Sequence, residues 1–204
     1  MSMMRALRAV GGAVVAGALL LTTAPAASAD QVREDQWPLK AFLAEEIWKI
    51  SQGEGVTVAV IDDGVDASHP DLKDNVLTEK GKDFIDGDGD PSPEGFDDHG
   101  TAMASIIAGH GHGPNSSEGV MGLAPRAKIL PIRDFGEGAE GFGPSIRYAV
   151  DQGASVINIS QEGTPAGKPE LEAIAYALKK GVLVVAGSGN SGKGPEYEAY
   201  PAYY

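Results

Sequence analysis

The chain has 204 residues, enough for one domain with a sizeable core. Its formal net charge of -13 argues against nucleic acid or an anionic membrane surface as partner. It contains no cysteine, which excludes a disulfide framework, a thiolate nucleophile and thiolate metal ligands.

Residues 1–29 read as an export signal. Arg5 and Arg8 give a positive start, and Ala9 to Leu21 is an apolar run interrupted only by Gly11, Gly12 and Gly17. Ala27-Ser28-Ala29 fits a small-x-small cleavage site, and the run is short for a membrane span. An exported protein, extracellular or in the cell envelope, is therefore expected. Residues 30–55 form an N-terminal extension ahead of a domain over 56–204. In it, Asp30 to Pro38 is polar and expected to be extended, and apolar spacing predicts one helix over 39–50.

Gly53-Glu54-Gly55 breaks that pattern, and Val56 to Ile61 is a β-branched apolar run suited to a buried parallel strand. Lys82 to Pro93 reads as an acidic loop, 101–108 as a helix and 109–122 as a loop. Strands are predicted over 127–132, 156–159 and 182–186, and helices over 144–152 and 169–180, the last with Pro169 near its start and Gly181 beyond its end. Strands alternating with helices imply an α/β domain with a parallel sheet covered on both faces. Ligands of such sheets bind beyond the carboxyl ends of the strands, where Asp62, Asp134, Ser160 and Asn190 all fall.

Two segments carry the chemistry. Residues 58–72 read Val-Ala-Val-Ile-Asp-Asp-Gly-Val-Asp-Ala-Ser-His-Pro-Asp-Leu, and residues 97–109 read Asp-Asp-His-Gly-Thr-Ala-Met-Ala-Ser-Ile-Ile-Ala-Gly. Together, in this order, they resemble the subtilisin-like serine peptidases. The resemblance implies a three-layer parallel-sheet fold and peptide-bond hydrolysis by an Asp-His-Ser triad. It makes Asp62 the carboxylate that holds the imidazole, His99 the general base, and Asn190 (in Val-Val-Ala-Gly-Ser-Gly-Asn) the oxyanion donor. Asp63 stands where the family commonly has Thr or Ser, and a second carboxylate there could disturb the base. Substrate-binding positions follow by the same resemblance: Gly136, Glu137 and Gly138 on an edge segment, and Ser160, Gln161, Glu162 and Gly163 beside the pocket. Gln161 and Glu162 depart from the usual Leu-Gly. Glu137, Glu140 and Glu162 are expected to make the cleft acidic and to favour basic residues near the cleavage point.

The triad's serine should sit in a Gly-Thr-Ser turn before a helix, and no such turn occurs in the 204 residues. The reading is then a serine endopeptidase chain that stops mid-domain, before its nucleophile, inactive and marginally stable alone; a non-catalytic peptide-binding relative is the alternative. A receiver- or phosphatase-like domain using Asp62-Asp63 fits neither the export signal nor the His99 segment. Residues 35–40, Asp-Gln-Trp-Pro-Leu-Lys, are similar to the mycosin-type subtilases of type VII secretion, which implies a polypeptide substrate and association with a membrane or secretion machinery. No cofactor is expected. Asp86-Gly-Asp88-Gly-Asp90 resembles the start of a calcium loop, but Pro91 replaces the turn glycine and Asp97 the bidentate Glu, so a structural calcium is a minor expectation. Gly136-x-Gly138-x-x-Gly141 fits a dinucleotide pattern whose own glutamates would repel phosphate. His69, His110 and His112 read as surface residues.

Overall fold

The structure is a computed structural model that describes residues 27–95, 98–163, 165–190 and 198–204. The expected export signal lies outside these residues up to position 26. The expected cleavage triplet opens a helix, α1 (Ala27–Asp35), so residues 30–35 are helical rather than extended. The helix expected over 39–50 is two short ones, α2 (Trp37–Ala41) and α3 (Ala44–Trp48), because Leu43 between them adopts a left-handed conformation with φ 54°. Apolar spacing alone does not register that break.

The domain is built on a five-stranded sheet in the order β2-β5-β1-β6-β7, every pairing parallel. Its strands are β1 (Thr57–Asp62), β2 (Lys82–Asp83), β5 (Lys128–Arg133), β6 (Val156–Ile159) and β7 (Leu183–Ala186). Four of these match the expected runs within a residue, since continuous β-branched segments have few alternatives in a parallel sheet. Helices α4 (His99–Ala108), α5 (Gly143–Asp151) and α6 (Lys168–Lys179) form the other layers.

Alternation along β1 assigns the faces. Ala59 and Ile61 join Leu130, Ile132, Ile146 and Ala173 in the core under α5 and α6. Val58 and Val60 join Val65, Leu72, Ala104 and Ala108 in the core under α4. The small residues of α4 let it sit close on the sheet. Buried Asn75 holds the far end of α4 by donating to Ala108 O and Pro125 O, each at 2.9 Å. On β7, Leu183 and Val185 are exposed, while Val184 and Ala186 pack on the α5–α6 side.

Three strands lie in segments expected to be loop. β2 is only two residues long and falls in the segment expected to be loop. The stretch 109–122 contains an antiparallel hairpin, β3 (His110–His112) and β4 (Glu118–Met121). Its polar, glycine-rich strands show no apolar alternation and are fixed by tertiary bonds instead. Buried Asp71 accepts Val120 N–H at 2.7 Å and lies 2.6 Å from His112 Nδ1. His110 sets its two ring nitrogens 2.7 Å from Lys73 O and from Gly111 O. These histidines are half-buried staples of the hairpin, not surface residues.

Candidate active site

β1 delivers Asp62 to the sheet's carboxyl end with its side chain buried. Oδ1 lies 2.8 Å from His99 Nδ1 and accepts Asp63 N–H at 2.9 Å. Oδ2 is buried with no hydrogen-bond partner among the described residues. An imidazole that gives Nδ1–H to a buried carboxylate is fixed in one tautomer and one ring orientation.

α4 carries His99 at its first position, and its N-terminus is capped from another part of the chain. Asp98, which precedes it, makes no side-chain cap. The Asp63 carboxylate does: Oδ1 accepts Gly100 N–H at 2.7 Å and Oδ2 accepts His99 N–H at 3.1 Å. The second carboxylate thus holds the backbone of the base from the helix's positive end, where a negative charge is favoured. Thr101 Oγ1 accepts Asp66 N–H at 2.9 Å and fastens the same turn. Gly100 is required by contact: a Cβ there would lie 2.2 Å from Gly64 O and 3.0 Å from Asp62 Cβ.

His99 and Met103 from α4, residues 160–162 after β6 and residues 187–190 after β7 line one cleft of about 530 Å³. Asn190 and Ser160, expected there from their strand-end positions, and Gln161 and Glu162, expected from the resemblance, share a cavity with His99, whereas Asp134 lies behind it, its carbonyl accepting Gln161 Nε2. Gln161, a polar residue where the family commonly has Leu, bonds inward: Nε2 donates to Asp134 O, and also reaches Ile61 O at 3.4 Å. It thus ties the ends of β1, β5 and β6 together. Met103 was missed, although its i+4 spacing from His99 places it on the same helix face.

Gly136, Glu137 and Gly138 do not line this cavity. Gly136 instead sits against Phe142 and next to Gly163: the Phe142 ring lies 2.5 Å from where a Cβ on either glycine would stand. Gly163 N–H donates to Tyr200 O at 3.0 Å. The expectation of an acidic cleft needs correcting. Glu162 lines it, but Glu140 lies with Arg147 and Lys168 at a separate cavity of about 580 Å³ between the starts of α5 and α6. The aspartates of the acidic loop are committed elsewhere. Asp86 Oδ2 binds Arg133 at 2.9 Å, Asp88 Oδ1 accepts Asp90 N–H and Asp90 Oδ1 accepts Ser92 N–H. No group of three His, Asp or Glu residues among the described ones converges as a metal site.

A profile of the subtilase family matches residues 53–204. The chain belongs to the subtilase family. Thermitase from Thermoactinomyces vulgaris is 40% identical over 173 residues, covering 83% of this chain and 59% of thermitase. Among solved structures, MycP1 from Mycobacterium smegmatis superposes with a TM-score of 0.60 at 30% identity, over 77% of this chain and 46% of that one. A further MycP1, described as a serine protease and an essential component of the type VII (ESX-1) secretion system, gives 0.63 at 31% identity, over 77% and 48%. This subtilase chain thus spans about half the length of the relatives it matches. Its fold is the α/β, parallel-sheet fold of those relatives.

Proposed function

We propose that this chain supplies the acid–base half of a serine endopeptidase, with Asp62 as orienting carboxylate, His99 as general base and Asn190 as oxyanion donor. The observation that supports it is the 2.8 Å contact from His99 Nδ1 to a buried carboxylate beside an open cleft. With Nδ1 given to Asp62, Nε2 is the nitrogen left to take a proton from a serine hydroxyl and return it to the leaving amine. Residues 160–163, with Gly136 to Gly138, would hold the polypeptide in an extended form. No cofactor takes part in this chemistry. The chain alone would bind peptide without cleaving it, because it holds no Gly-Thr-Ser nucleophile turn. Export through residues 1–29, and work beside a type VII secretion machinery, complete the proposal; the likeness to MycP1 supports the latter.

Proton NMR of the ¹⁵N-histidine-labelled chain tests the central part. His99 should show a strongly deshielded Nδ1 proton that Asp62→Ala abolishes, and a serine-directed fluorophosphonate should leave the chain unlabelled. An unshifted His99 proton, or labelling at Ser160 or Ser188, would overturn the assignment of roles.

A further inference from the structure

Glu170, in the first turn of α6, is fully buried. Oε1 accepts Phe142 N–H at 3.0 Å, and a Cβ on Gly141 would lie 2.9 Å from the same oxygen. Phe142 is itself fully buried, and its ring edge fills the space that side chains at Gly136 and Gly163 would need. Gly163 is close enough to Gly136 that its Cβ would stand 3.1 Å from Gly136 O. One buried carboxyl therefore holds the main chain that carries an aromatic ring, and that ring fills the gap between two backbone segments on either side of it. A buried carboxylate without such a task is costly, and an apolar residue would fill its place more cheaply. Burial pushes the Glu170 carboxyl up, the charge on Asp134 adds to this, and Phe142 N–H and the Tyr204 hydroxyl pull it back.

We propose that Glu170 is a positioning residue which, through Phe142, sets the separation of the Gly136–Gly138 and Gln161–Gly163 segments and so the fit of an extended substrate backbone. This rests on the functional reading above only in naming the segments' ligand. The spacer role is independent of it.

Amide exchange measured by NMR on the full chain separates the two. Neither Gly136 N–H, which donates to Asp134 Oδ1 at 2.9 Å, nor Gly163 N–H touches Glu170. In Glu170→Ala both should exchange about ten-fold faster, while Asp134 N–H and Ser155 N–H, which bond to the two ends of β1, keep their rates. Glu170→Gln, which keeps an acceptor for Phe142 N–H, should restore both. A fluorescent extended hexapeptide should bind Glu170→Ala about ten-fold more weakly than the parent or the Gln variant. Should the Ala variant not fold, Phe142→Leu, which shortens the spacer, carries the same comparison. Unchanged Gly136 and Gly163 amides, equal acceleration at Asp134 and Ser155, or undiminished peptide affinity would each overturn the proposal. A parent chain that binds no peptide sinks the functional reading instead, and the two glycine amides still decide the role of Glu170.

Discussion

Asp62 and Asp63 are chemically identical neighbours with different work. Alternation along the strand end sends one carboxylate to the imidazole and the other to the helix backbone that carries it. Removing the second should loosen the base without touching its partner. We expect Asp63→Ala to cost about 1–2 kcal/mol, as losing a good helix cap does, and to weaken the deshielded His99 proton. Gly100→Ala should be worse, because the clash is with the backbone oxygen of Gly64 and no rotamer relieves it. About 3 kcal/mol of destabilisation, with loss of that proton, is expected by thermal melting and NMR. Asp62 and His99 were legible in the sequence because their local contexts are distinctive. The task of Asp63 was not, since a cap donated from 36 positions away leaves no local pattern. Gln161 was read only as a departure, although its amide joins three strand ends.

Within the sheet domain, strands and helices of ordinary length were read from the sequence within a residue or two; the failures there were elements defined by partners, while ahead of it the helix α1 and the break at Leu43 went unread. β2 exists because Asp83 and Arg133 meet at the sheet edge. Burial alone would raise the Asp83 carboxyl, but N–H groups of Ile85, Asp86 and Gly87 and the Arg133 guanidinium together hold it below its ordinary value. Arg133 also reaches Glu94 at 2.9 Å, so the edge anchors the loop that leads towards His99. A carboxyl depressed in the folded state contributes stability above its unfolded value, near 3.9, that disappears as pH falls through the folded one. Asp134 and Glu170 are raised chiefly by burial, so their contribution runs the other way and declines as pH rises through their elevated values. Chemical denaturation from pH 2 to 8 should therefore show an acid limb that Asp83→Asn diminishes. That variant should also lose about 3 kcal/mol at neutral pH, because Arg133 stays buried with fewer partners. A curve of wild-type shape in the variant would refute the assignment.

At the scale of the molecule, the N-terminal segment is fastened to the hairpin rather than left as a tail. Arg33 donates to Gly119 O at 3.0 Å and Glu118 O at 3.2 Å, and Gln36 exchanges bonds with Met121 at 2.9 and 3.0 Å. The sequence marked this region as an extension but could not place it, since its bonds go to main-chain groups more than 80 positions away. Arg33→Ala should make α1 susceptible to limited proteolysis while leaving the melting of the sheet nearly unchanged. Strand order has a further consequence, for biogenesis. β1 lies at the centre of the sheet, yet it precedes the sheet's other four strands in the chain, and both its neighbours, β5 and β6, emerge from the ribosome long after it. A nascent chain stalled before residue 133 carries the apolar run over residues 58–61 with neither flank paired in the sheet, the state most prone to capture by other chains. Synthesis past that point, more than any local propensity, decides when this half of the sheet becomes safe from aggregation.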